Sequence, residues 1–185
     1  YILAEEFLNG APSALILGDN IFFGHGLLEI LTSANSKQTG ATVFGYHVKD
    51  PERYGVVGFD DEGNVNSITE KPKEPVSNYA VTGLYFLDAM APQRAKQVKP
   101  SKRGELEITT LLESYLHEGS LTVETMGRGF AWLDTGTHSA LLEASNFVRT
   151  LTERQGLQVG SPDELAFQLG WINASTLRET AQKFG

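Results

Sequence analysis

The feature that most constrains this chain is a short apolar run, 14–17, that stops at Gly18 and is followed at once by an acid, Asp19. A run of that length bounded by a glycine reads as a buried strand delivering a carboxylate at its carboxyl end. Phe22, Phe23 and Gly24-His25-Gly26 follow, so Asp19 is expected on a loop with room for an approaching ligand. In open α/β sheets, ligands bind outside the carboxyl ends of the strands. A second acid has a similar setting far downstream, in Trp132-Leu133-Asp134-Thr135-Gly136-Thr137.

The rest of the chain supplies a sheet for these acids. Ile2, Leu3, Phe7 and Leu8 give a helix over 1–9 an apolar face, ended by Asn9-Gly10. A helix over 26–35 and a strand over 41–48 come next, an order typical of a parallel sheet with covering helices. The turn Asp60-Asp61-Glu62-Gly63-Asn64 makes 56–59 and 65–70 a hairpin, and the strand 79–87 completes a mixed sheet. Helices are expected over 88–98 and 105–117, strands over 121–126 and 130–133, then helices over 137–155, 162–170 and 174–183. Ser161-Pro162-Asp163-Glu164 is a strong helix start. The expected organisation is a single α/β domain over 1–185, with a sheet core in 1–136 and a helical segment in 137–185. Leu165, Phe167, Leu169, Trp171 and Ile172 suit either a contact surface or an ordinary core.

Composition excludes several classes of function. With 185 residues, 41% apolar and 21% charged, the chain can bury a core, and disorder is not a serious reading. The net charge of -8 argues against nucleic acid or an anionic membrane as partner. There is no cysteine, hence no disulfide, thiolate or cysteine-ligated zinc. No apolar run approaches a membrane span and no stretch reads as a signal peptide, so the cytoplasm is the expected compartment. The opening at Tyr1 inside a helical pattern and the abrupt close at 181–185 read as a piece of a longer protein.

Each aspartate alone reads most simply as a turn or N-cap residue. As a pair they would make a hard oxygen site for magnesium, which uses one or two carboxylates and leaves other positions to water and phosphate. Glu70-Lys71-Pro72 places a cation held by a following proline at a strand end, fit for a phosphate, beside an acid that can accept from sugar hydroxyls; a solvated ion pair is the plain alternative. Tyr54-Gly55 offers a backbone amide next to a ring; Arg103 is a cation before a helix, or simply a surface loop arginine; Phe22, Phe23 and Trp132 are candidate pocket walls, with core packing the simpler role for at least one of them. The histidines lack metal-ligand spacing. His25 and His138 lie near the acids in sequence, where a supporting role and simple loop exposure both remain open. No serine, histidine and acid arrangement stands out.

Six segments, in this order, carry a resemblance: Leu17-Gly18-Asp19-Asn20; Asp50-Pro51-Glu52-Arg53-Tyr54-Gly55-Val56-Val57; Glu70-Lys71-Pro72; Ser77-Asn78-Tyr79-Ala80-Val81-Thr82-Gly83-Leu84-Tyr85; Arg103-Gly104-Glu105-Leu106-Glu107-Ile108-Thr109; and Trp132 to Thr137. Arg154-Gln155-Gly156-Leu157 and Gly170-Trp171-Ile172 extend it. The set resembles the glucose-1-phosphate thymidylyltransferases. The resemblance implies a Rossmann-like mixed sheet with helices on both faces, and an enzyme that joins dTTP and α-D-glucose 1-phosphate into dTDP-glucose and pyrophosphate. It implies Asp19 and Asp134 as ligands of Mg2+, and Tyr54, Gly55, Glu70, Lys71, Val81 and Trp132 as substrate contacts. Lys71 and Arg103 would face the sugar phosphate. It also implies a homotetramer with feedback by dTDP-rhamnose. One departure concerns catalysis: the glycine-rich loop with arginine and lysine that opens such sequences is not among these residues, so the 185 residues alone are expected to be inactive. The alternatives are a nucleotidyltransferase for another triphosphate or sugar phosphate, and a non-catalytic sugar-nucleotide-binding module.

Overall fold

The computed structural model describes residues 1–156 and 158–183. Leu157, which closes the Arg154–Leu157 segment, and Phe184 and Gly185 at the expected abrupt end lie outside the described residues. The chain divides into two compact units, Tyr1–Asp134 and Thr135–Gly185.

The first unit contains α1 (Glu5–Leu8), β1 (Ser13–Ile16), β2 (Asn20–Gly24), α2 (Leu27–Ser36) and β3 (Ala41–His47). A 3-10 turn, Pro51–Arg53, leads into β4 (Gly55–Phe59), β5 (Val65–Glu70) and β6 (Tyr79–Leu87). It closes with α3 (Ala91–Ala95), α4 (Ile108–His117), β7 (Leu121–Met126) and β8 (Phe130–Asp134). The second unit is helical: α5 (His138–Gln155), α6 (Pro162–Gln168) and α7 (Ala174–Ala181).

Six strands form a mixed sheet in the order β5-β4-β6-β3-β7, with β1 also on β6. β6 is its organiser. Its sequence is rich in aromatic and β-branched residues that suit a pleated, buried surface, and one edge takes β3 along its whole length. The opposite edge is shared, β4 meeting it at Ala80 and β1 at 84–87. The strand–helix–strand order at the start had suggested a parallel sheet. β1 and β3 do run parallel, but each is antiparallel to β6, which lies between them; β3 and β7 are directly paired in parallel.

Successive residues of β3 point to opposite faces, so Val43 joins a core with Val57, Tyr85, Leu112 and Tyr115 under α4, while Phe44 joins Ala34, Leu84 and Met126 under α2. Both faces are therefore covered, as expected for this α/β class.

Two expectations need correction, and one stretch is more regular than foreseen. The opening helix occupies only Glu5–Leu8, a single turn ended by Asn9 in the left-handed conformation, and Leu3 and Phe7 are exposed rather than packed. β1 is not buried: among the described strands it pairs only with β6, and Ile16 and Leu17 remain 56% and 42% exposed. Asp19 itself lies in the turn between β1 and β2, as expected, but the stretch after it is not irregular. It is β2, which pairs antiparallel with β8 from Asn20↔Asp134 to Gly24↔Phe130. Gly24 is required there, because a Cβ would stand 2.5 Å from the Phe130 ring.

In the helical unit the local signals act as read. Thr137, Ser161 and Asn173 each accept a hydrogen bond from a backbone amide in the first turn of α5, α6 and α7, each such cap contributing about 1 kcal/mol. Leu165, Phe167, Leu169 and Trp171 stay substantially exposed on the second unit. No helix of the described residues is long and apolar enough to cross a membrane.

Candidate functional site

The two strand-end acids meet because of the β2–β8 register. Asn20 pairs with Asp134, and Asp19 is the residue immediately before Asn20, so the carboxylates arrive at the same end of one two-stranded ribbon. Both line a cavity of about 240 Å³, together with Tyr54, Gly55, Glu70 and Lys71. Val81 and Trp132 complete the expected lining.

The walls are set by backbone pairing. Gly55 pairs with Glu70 across the β4–β5 hairpin, which places the Tyr54-Gly55 amide and the Glu70-Lys71 pair side by side. A Cβ at Gly55 would stand 2.7 Å from the Thr109 methyl, so only glycine lets β4 approach the start of α4 this closely. Trp132 is nearly buried and packs edge-on against Tyr54, ring centroids 5.1 Å apart, and against Tyr46 at 5.9 Å. The Tyr46 hydroxyl donates to the Phe130 carbonyl at 3.1 Å, tying the ribbon to β3.

Glu70 is the charged centre of one side. Its carboxylate accepts from the buried Thr109 hydroxyl at 3.1 Å and lies 3.9 Å from the Lys71 ammonium and 3.6 Å from the Arg103 guanidinium. Arg103 is not among the lining residues. It reaches the site through Glu70 and is also bound by Glu105 at 3.0 Å and Glu107 at 3.6 Å. Lys71 has a backbone φ of 40°, in the left-handed region, and its amide donates to the Tyr54 carbonyl at 2.9 Å. A non-glycine residue pays strain for that conformation, and the following proline adds its own restraint. The lysine is thus held more tightly than the sequence alone implied.

Several lining residues escaped notice as individuals, though they sit inside the quoted segments: Asn20, Arg53, Gly83, Tyr85 and Thr109. Arg53 lies 5.3 Å from the Tyr54 ring centroid and pairs with Asp50 at 2.8 Å; that hydrogen bond raises the guanidinium pKa further. Partial burial pushes the Tyr54 hydroxyl up, partly offset by Arg53, and deeper burial pushes up Tyr85. Both phenols stay neutral at ordinary pH. Phe22 and Phe23 lie within β2 and do not line the cavity. His25 follows the far end of β2; at about 3.3 Å per residue the strand carries it well away from Asp19. His138 opens α5 in the other unit.

No group of three or more His, Asp or Glu residues suited to a metal occurs among the described residues. The two aspartates are hard oxygen donors that open onto a shared cavity. That set fits magnesium, which takes few protein carboxylates and keeps sites for water and substrate phosphates, and does not fit a structural zinc centre.

Residues 1–150 match the nucleotidyl transferase family. The chain is 58% identical over 181 residues to the glucose-1-phosphate thymidylyltransferase of Xanthomonas campestris pv. campestris (strain B100), covering 98% of this chain and 61% of that protein. It is 52% identical over 182 residues to the enzyme of the same name from Neisseria gonorrhoeae, covering 98% and 63% respectively. The chain thus spans less than two thirds of either relative. Among solved structures, one from Bacillus anthracis assigned as a glucose-1-phosphate thymidylyltransferase superposes with a TM-score of 0.69 at 42% identity, over 80% of this chain and 58% of that one. A UDP-glucose pyrophosphorylase complexed with UDP-glucose gives 0.70 at 25% identity, over 80% and 60%.

Proposed function

We propose, from the premise that this chain belongs to the nucleotidyl transferase family, that its protein transfers a thymidylyl group from dTTP to α-D-glucose 1-phosphate, giving dTDP-glucose and pyrophosphate. The observation that carries the reading is the convergence of Asp19, Asp134, Glu70 and Lys71 on one cavity, in a chain 58% identical to a protein named for that reaction.

The sugar phosphate has a second pKa near about 6, so at neutral pH it is mostly a dianion and needs no general base. Its oxygen attacks the α-phosphorus of dTTP, the new P–O bond forms, and the bond to the β-phosphate oxygen breaks, releasing pyrophosphate. The obstacle is repulsion between two anions. Lys71, held by its backbone and by Pro72, offers a fixed cation to the incoming phosphate. Arg103, held beside Glu70, adds a second cation directed at the same phosphate. Glu70 accepts from sugar hydroxyls, while the Gly55 and Val81 backbone and the Trp132 ring fix the sugar's place. Asp19 and Asp134 would hold Mg2+, which supplies charge neutralisation for the phosphates when bound. Positioning and charge then account for most of the rate.

Replacement of Asp134 by Asn in the intact protein tests this. Pyrophosphate release from dTTP and glucose 1-phosphate should fall by at least about a hundredfold, the scale of losing a key charge-stabilising group, with an unchanged circular dichroism spectrum. Retained activity would overturn the assignment. The 185 residues alone hold no glycine-rich loop with arginine and lysine, and are expected to show no turnover. Homotetramer formation and inhibition by dTDP-rhamnose belong to the same reading and are checked by light scattering and by inhibition kinetics.

The likeness to a UDP-glucose pyrophosphorylase favours one second reading, a nucleotidyltransferase preferring UTP. Turnover compared between dTTP and UTP at equal concentration separates the two.

A further inference from the structure

Asn20 stands beside both acids with its side-chain amide held by three hydrogen bonds. In the antiparallel ribbon, Asn20 faces Asp134, and Trp132, two residues earlier in β8, shares that face and lies on the diagonal to Asn20. The indole Nε1 donates to Asn20 Oδ1 at 2.6 Å, and the Gly83 amide of β6 donates to the same oxygen at 3.0 Å. Both of these groups are donors only. The carbonyl oxygen of the Asn20 amide must therefore face them, and its NH2 must face the other way. That NH2 donates to Asp19 Oδ1 at 2.8 Å.

Gly83 closes the clamp sterically. A Cβ at this position would stand 2.6–2.8 Å from the Oδ1, Cγ and Nδ2 atoms of Asn20, so the amide is pressed onto bare backbone. With its oxygen doubly held, the amide keeps its NH2 on the side away from Trp132 and Gly83. The chain of contacts runs from the Trp132 indole and the β6 backbone, through one amide, to one carboxylate oxygen of Asp19.

We propose that Asn20 is a positioning residue for Asp19: clamped by Trp132 and Gly83, its side-chain amide fixes the rotamer of the Asp19 carboxylate, and so the affinity of the aspartate pair for a divalent cation. Trp132 then has a role apart from contact with the sugar, and Gly83 has one apart from the sheet. The inference rests on Asp19 and Asp134 as the cation site proposed above.

The test is Mn2+ binding to the intact protein without substrates, followed by the loss of the free-ion paramagnetic resonance signal. Wild-type protein should bind, and Asp19→Ala should not. Trp132→Phe keeps a ring between Tyr54 and Tyr46 and removes only the N–H donor; it should weaken Mn2+ by about tenfold, the usual low end for loss of a group that orients a metal ligand. Asn20→Ala should weaken it at least as much, and adding Trp132→Phe to Asn20→Ala should change nothing further. That non-additivity would not arise from a merely structural tryptophan. Gly83→Ala should act in the same direction, and if it fails to fold, the tryptophan pair still decides. An unchanged Mn2+ affinity in Trp132→Phe, or the same loss in the Asn20→Ala background, overturns the inference while leaving the cation site standing. Absence of Mn2+ binding by the wild type overturns both.

Discussion

Lys71 is a charged residue placed in a backbone conformation that charged residues rarely adopt. Its ammonium is 3.9 Å from Glu70, an exposed pairing that contributes little stability, so the strain is better explained by where the cation must stand. Lys71→Met should raise KM for glucose 1-phosphate by about tenfold or more, since one charge-assisted hydrogen bond contributes roughly 1.5–3 kcal/mol. Lys71→Arg should not restore it, because the guanidinium fork needs a different geometry; steady-state kinetics on the intact protein reads both. Tyr115 offers a test of stability instead. Its buried hydroxyl donates to Asp88 at 2.8 Å, and Tyr115→Phe should cost about 1–2 kcal/mol in urea unfolding. Burial also raises the Tyr115 pKa, with the Asp88 hydrogen bond adding to it. A phenol whose folded pKa is raised contributes fully below the unfolded value, near about 10, and loses that contribution as pH rises beyond it. Urea midpoints should therefore fall above that pH, less steeply in Tyr115→Phe. At this scale the sequence was informative about residue type: Asp19, Glu70, Lys71 and Asp134 were identifiable as acids and a cation at strand ends. Asn20 was not, because its importance lies in partners 63 and 112 positions away.

Elements with local signals were the most legible. The hairpin of β4 and β5 follows from the Asp60–Asn64 turn, where the Asp60 carboxylate accepts from the Glu62 and Asn64 amides at 3.0 and 2.7 Å. The helices of the second unit follow from their caps, and Ser161→Ala should lower its stability by about 1 kcal/mol, measurable by thermal melting. β2 was hidden for the opposite reason. Ile21, Phe22 and Phe23 suit a strand, but the run is short and its partner, β8, lies more than a hundred residues on. The apolar spacing of the opening stretch suggested a helix with a buried face, but one turn of helix with nothing packed on Leu3 and Phe7 cannot use it. α4 links the two levels: Leu111, Leu112 and Tyr115 anchor it in the core while Thr109 in its first turn holds Glu70. Leu112→Ala should cost about 2–5 kcal/mol and loosen the site with it.

For the whole molecule, the ordered segments anticipated the family that residues 1–150 match. What composition and periodicity could not convey is that the cavity on the first unit is lined from nearly its whole length, Asp19 to Asp134. The bond from Trp132 to Asn20 closes a chain separation of 112 residues, and that from Gly83 one of 63. This has a kinetic consequence. Contacts so distant in sequence must overcome loop-closure entropy before they gain anything, whereas the β4–β5 hairpin and the capped helices can form early. In refolding, helical signal should therefore return before the Trp132 fluorescence reaches its native value, so the ability to bind a ligand is among the last properties the chain acquires.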